Sequence, residues 1–177
     1  MAVSKITLCP SRGEIITLYA LYSIFNKAME IMPRRKARLL AVQFLYQLDI
    51  DFDRNLEDAL ADFWSQQKEK LTDSIIEFAN SLARGVYAHW AELNASIAAH
   101  SQNWIFERIS PVDRCILRIA IYEILYRHDI PPVVSINEAI EIAKILSTDD
   151  APKYINGILD RIMRDTLRAS RTASPIK

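Results

Sequence analysis

The chain has 177 residues, half of them hydrophobic, and its 22 basic side chains balance its 22 acidic ones. That length supports one domain with its own core, and the cancelling charge excludes a global field aimed at nucleic acid or membrane, so any electrostatic function must come from local clusters. Three glycines, two cysteines and a scarcity of alternating β-branched runs point to an all-α protein without a disulfide framework, suited to a reducing, cytoplasmic compartment.

Residues 1–32 read as an N-terminal extension. Ile15 to Phe25 (IITLYALYSIF) is apolar and follows Lys5 and Arg12, as in a signal peptide. It is too short to span a bilayer, and no small-residue cleavage pattern follows it. The extension is either the product of an upstream start codon or an extra surface helix, and removal of Met1 to Ile31 is expected to leave a folded protein.

From Arg34 the pattern turns helical, with Ala37, Leu40, Ala41, Phe44, Leu45 and Leu48 at spacings of three and four. An acidic stretch follows from Asp49 to Asp62, containing an expected loop over Asp51-Phe52-Asp53-Arg54-Asn55 and then a helix. Leu71 to about Tyr87 is amphipathic and is expected to continue past Gly85 through Trp90 and Leu93 towards Ile97, because a lone glycine weakens a helix without ending it. Asn103-Trp104 is expected to begin a short element.

Ser110-Pro111-Val112-Asp113 reads as a capping box with proline at the first helical position, where a missing N–H costs nothing. The helix it opens, to Tyr126, is apolar almost all round and belongs at the centre of a bundle. Cys115 then reads as a buried reduced thiol. Arg118 and Glu123 are expected to be partly buried and paired, since an uncompensated buried charge is costly. Asp113 and Arg114, in the first turn, are expected to be exposed. Pro131-Pro132 stops this helix, Ser135-Ile136-Asn137-Glu138 reads as a second capping box for a helix to about Leu146, and Asp149-Asp150 with Pro152 opens the last one. Residues 33–168 make up the domain, and residues 169–177 read as a flexible basic tail.

No catalytic constellation is present. His89, His100 and His128 are scattered without a cysteine or carboxylate at ligand spacing, so neither a metal nor another cofactor is expected, and three isolated glycines make no phosphate cradle. The expectation is a protein that is not an enzyme. The sharper feature is Arg34-Arg35-Lys36-Ala37-Arg38, cations at the start of a helix, where the macrodipole disfavours each by roughly 0.3–1 kcal/mol. A solvated charged face is the ordinary explanation for such a run. Its unfavourable position argues instead for an outside polyanion, RNA or DNA. On that reading Arg35 and Arg38 are replaceable by alanine with the fold intact. Gln43 and Tyr46, further along the same helix, are candidates for base contact and stacking, although a tyrosine there is also an ordinary core aromatic. The cations Lys153, Arg161, Arg164, Arg168 and Arg171 agree with the dipole late in a helix and read better as a solvated face.

RRKAR with AVQ and LY, then ILRIAIYEI, VSINEAIEIAK and KYINGILD, resembles the NusB family of bacterial transcription antitermination factors over about Pro33 to Arg164. The resemblance implies an all-helical bundle of two packed helical subdomains that binds the single-stranded boxA element of ribosomal RNA leader transcripts. It further implies a heterodimer with NusE, the small-subunit ribosomal protein of the RNA polymerase antitermination complex; without NusE, a homodimer and a monomer both remain open. Residue by residue, it implies RNA contact at Arg34, Arg35, Lys36, Arg38, Gln43, Tyr46, Lys153, Tyr154 and Asn156, and a partner or RNA surface at Asp113 and Asp150. Asn156-Gly157 reads equally as a packing device that lets helices approach closely. Related domains are fused to RNA methyltransferases, but this chain has no room for a nucleotide-binding domain. The alternative is a relative that acts as a protein-interaction module without sequence-specific RNA binding.

Overall fold

The computed structural model describes residues 32–172 apart from 53 and 102–105. The apolar run Ile15 to Phe25, Cys9 and the element expected at Asn103-Trp104 lie outside the described residues. Within them the chain forms seven α-helices: α1 Pro33–Ile50, α2 Leu56–Ser65, α3 Asp73–Ala88, α4 Trp90–His100, α5 Pro111–Tyr126, α6 Pro132–Leu146 and α7 Ala151–Thr172. A 3-10 turn at Phe106–Arg108 precedes α5. The last helix thus reaches past residue 169, where the tail was expected to begin.

Local chemistry sets most of the boundaries. Asn55 caps α2 by accepting the N–H groups of Glu57 and Asp58 at 2.9 and 3.2 Å, which satisfies donors a helix start leaves unpaired. Ser110 caps α5: its Oγ accepts the Asp113 N–H at 3.2 Å and donates to the Asp113 carboxylate at 2.6 Å. Two expectations fail. Helix α6 starts at Pro132, a turn earlier than a capping box at Ser135 requires. Pro131 supplies the extended cap residue, Ser135 is buried inside the helix, and the Glu138 carboxylate that should fold back onto Ser135 reaches Arg35 instead. The long helix through Gly85 is two helices, broken at His89. The break is a one-residue kink, since the His89 N–H still bonds the carbonyls of Gly85 and Val86 and its own carbonyl accepts from Leu93 at 2.9 Å. The His89 ring stacks on Tyr126 with centroids 3.9 Å apart, which ties the kink to α5.

Helix α5 packs against α1, α3, α4, α6 and α7, as its all-round apolar surface requires. Helices α1–α4 form one half of the bundle and α6 and α7 flank α5 in the other. A single apolar cluster runs from Ala37 through Leu82, Leu117 and Ile142 to Ile162. Gly85 has a packing reason: a Cβ there would lie 2.0 Å from the Tyr122 ring, so any larger residue would have to displace that ring.

Candidate nucleic-acid interface

The basic start of α1 is mostly tied into the protein. At about 100° per residue, four cations within five positions cannot share one helix face. Arg35 forks onto Glu138 of α6 with bonds of 2.9 and 2.7 Å, a geometry that holds its guanidinium above the ordinary value. Lys36 reaches Glu69 at 2.6 Å. Arg38 donates from Nε to Glu123 of α5 at 2.9 Å, and its Nη1 lies 3.8 Å from Glu138. Of the four, Arg34 is the exposed one: it makes no ion pair within 4 Å among the described residues, its charge helps Arg127, the main cause, to lower the Asp129 carboxyl, and its Cζ lies 5.4 Å from the centroid of Phe78. The helix-dipole argument for an outside polyanion therefore does not hold for the cluster as a whole. Carboxylates from α5, α6 and the segment before α3 offset the unfavourable dipole from within.

Phe78, which the sequence did not single out, gathers the guanidinium groups of Arg34, Arg38 and Arg127 at 5.3–5.4 Å, within cation–π range. It also floors a groove of about 450 Å³ between the start of α1 and α3, lined by Pro33, Arg34, Ser74, Ile75, Glu77 and Ser81 as well. No short-range pattern could have announced this, because Phe78 is read from sequence only as one more apolar position of α3.

Two further residues expected at the surface meet in the interior. Asp113 is 2% exposed, correcting its expected exposure, because it serves the Ser110 cap and receives the hydroxyl of Tyr154 in a short hydrogen bond. Burial and the neighbouring Asp113 carboxylate push the Tyr154 phenol well above its usual range. Arg114 is likewise held, bonding Asp49 at 3.2 Å and the Ile109 carbonyl at 3.1 Å, and lying over Phe106. Arg118 is fully buried, with Asp49 at 3.3 Å, the Asn94 Oδ1 at 2.8 Å and the Trp90 ring 3.8 Å away. Arg118 and Glu123 are thus buried and paired, though with partners on other helices rather than each other.

Along α1, Gln43 and Tyr46 are half-buried, Tyr46 against the core. At the start of α7, Asp150 and Lys153 are open to solvent, 82% and 85% exposed and 3.7 Å apart. Asn156 is half-buried. Among the described residues, a Cβ on Gly157 would meet no atom within 4 Å, so none of them makes the close helix approach read at Asn156-Gly157. Arg161 donates to the His100 carbonyl at the end of α4, while Arg164 and Arg168 face solvent in loose pairs with Asp160 and Asp165. Of the cations singled out from the sequence, the structure thus leaves Arg34 at one helix start and Lys153, Arg164 and Arg168 on α7 accessible.

Comparison with known proteins gives this architecture a family. Residues 35–164 match the family model described as NusB family. The transcription antitermination protein NusB of Methylacidiphilum infernorum is 42% identical over 149 residues, covering 82% of this chain and all of that protein. Its counterpart in Thermodesulfovibrio yellowstonii is 40% identical, covering 80% and 99%. Among solved structures, T. maritima NusB superposes with a TM-score of 0.67 at 37% identity over 76% of this chain and 92% of that one. A structure of the antitermination factors NusB and NusE in complex with dsRNA superposes at 0.66 with 22% identity, covering 75% and 97%, a likeness of fold. By family model, sequence identity and helical architecture together, the chain belongs to the NusB family.

Proposed function

We propose that the chain is a transcription antitermination factor that binds single-stranded boxA RNA of ribosomal RNA leader transcripts together with NusE. It acts in the cytoplasm within the RNA polymerase antitermination complex and performs no catalysis. The observation that carries this reading is the match to NusB proteins across nearly the whole described domain. A relative of the same fold captured with NusE and RNA supports the choice of partners. The proposed RNA contacts are the accessible members of the expected set: Arg34, Gln43, Tyr46, Lys153 and Asn156, with Asp150 beside them. Phosphate contacts position the strand, and the amides of Gln43 and Asn156 read bases and sugars.

The test is a titration of boxA and scrambled RNA, with and without NusE. The expected result is tighter binding of boxA when NusE is present. The coupling is reciprocal, so saturating boxA tightens NusE binding by the same factor. Independent binding of the two ligands rules out this cooperation. The internal pairing of Arg35, Lys36 and Arg38 favours a second reading, a protein-interaction module. In that case NusE binds while boxA and scrambled RNA are treated alike.

A further inference from the structure

Four buried side-chain atoms among the described residues have no hydrogen-bond partner: Asp113 Oδ1, Arg114 Nε, Glu123 Oε2 and Ser135 Oγ. An orphaned buried polar atom is costly, and nearly all such atoms in folded proteins find a partner in the protein or in ordered water. Two of these four belong to side chains that line one cavity. Arg38 of α1, Glu123 of α5 and Ser135 of α6 meet there, and apolar side chains of the same three helices form the rest of its wall. None of the three polar residues is more than 3% exposed.

Size and charge decide what fits. The cavity has a volume of about 10 Å³, close to the room that one water molecule needs, about 10–15 Å³, and far too little for an organic ligand. The Glu123 carboxylate is already paired with the Arg38 Nε at 2.9 Å. A cation would therefore meet the guanidinium and an anion the carboxylate, neither with a counter-charge left for it. What remains is a small neutral molecule that both donates and accepts. Apolar cavities stay dry, whereas water enters those that offer it two to four polar partners. This one offers an acceptor in Glu123 Oε2, a hydroxyl in Ser135 and the N–H groups of Arg38.

We propose that one ordered water molecule binds in this cavity, donating to Glu123 Oε2 and accepting the Ser135 hydroxyl. It completes the Arg38–Glu123 pair from its open side and joins α1, α5 and α6 by hydrogen bonds where the two halves of the bundle meet. It also gives Ser135 a reason to stand inside a helix, where alanine is the better helix former and a buried hydroxyl without a partner weakens the fold.

The test uses the full chain. A high-resolution crystal structure is expected to show one water within about 3.2 Å of both oxygens. In solution, the methyl groups of Ala120 and Ala139, which line the cavity, should show a nuclear Overhauser effect to water with the sign of a long-lived bound molecule. Ser135→Ala should weaken that effect and lower the melting temperature by about 2–4 °C. Without a bound water the sign of the melting shift reverses, because alanine then replaces an orphaned hydroxyl with a better helix former. A variant that melts higher overturns the proposal. So does a wild-type chain with no water signal at these methyls, or a crystal structure in which the Ser135 hydroxyl bonds Glu123 or the Pro131 carbonyl directly. The wild-type measurements decide the matter even where the variant fails to fold.

Discussion

The Nε of Arg38 donates to the Oε1 of Glu123 at 2.9 Å, across 85 residues of sequence, with 4% and 1% of the two side chains exposed. A charge pair so removed from water is held by geometry. Removing one partner leaves the other buried and uncompensated, which costs about 3–5 kcal/mol, whereas replacing both with apolar residues of similar volume is often neutral. Arg38→Ala is therefore expected to lose about that much stability in denaturant unfolding, and Arg38→Met with Glu123→Leu to recover most of it. Sequence reasoning, which took Arg38 for a dispensable phosphate ligand, expected the fold of the alanine variant to be intact. A measured loss below about 1 kcal/mol would restore that view.

Arg34 should behave in the opposite way. It is exposed and makes one cation–π contact, so Arg34→Ala is expected to change stability by no more than about 0.5 kcal/mol. If Arg34, Lys153 and Arg164 each neutralise one phosphate, the log–log salt slope for single-stranded RNA is near −2, at about −0.7 per contact. Raising salt from about 50 to 200 mM then weakens binding roughly twentyfold. Each alanine variant should remove about 0.7 from the slope, and a slope near −4 would show that the three paired cations of α1 also release to the RNA.

How far the sequence could be read divides along the range of the interactions. Ser110 acts within a turn of helix, so the start of α5 was legible from its cap, those of α1 and α2 from the periodicity after Arg34 and the loop ending at Asn55, and the central place of α5 from its apolar circumference. Glu138 shows the limit. Its spacing from Ser135 satisfies the capping-box rule, but its carboxylate goes to Arg35 on another helix, and α6 starts a turn earlier, at Pro132 behind Pro131. The site suffered in the same way: the basic run at Arg34–Arg38 was visible, but nothing local reveals that Glu69, Glu123 and Glu138 meet it. Tyr154 and Asp113, 41 positions apart, pair in the interior for the same reason.

The Asp129 carboxyl offers a titration test. The bidentate bond from Arg127, at 2.8 and 2.9 Å, is the main cause holding it down at about 2. A carboxyl depressed on folding contributes stability that is present above its unfolded value of about 3.9 and is lost as pH falls through about 2. The pair is exposed, so the contribution is small. In an NMR titration, Arg127→Ala should return Asp129 towards about 3.9; an unchanged value would show that another group sets it.

Cys115 is fully buried, and desolvation pushes its thiol up to about 12. Only the thiolate is nucleophilic, so at about pH 8 the native chain should resist alkylation at this position. Peptide-resolved alkylation across a denaturant series should track global unfolding. Rapid labelling in native buffer would reveal a local opening of α5.

The central helix also has a bearing on synthesis. Helix α5 touches five others, yet it is encoded after three of them, α1, α3 and α4, so a nascent chain has released these helices before the element that completes their burial exists. The N-terminal half then waits at the ribosome with uncovered hydrophobic surface, the condition that attracts chaperones and favours aggregation. Distant closures such as Arg38 with Glu123 come only after Tyr126 has left the tunnel. The order in which the gene is read thus leaves completion of the core of this bundle to a late step, although α1 and α3 are free to pack on each other earlier.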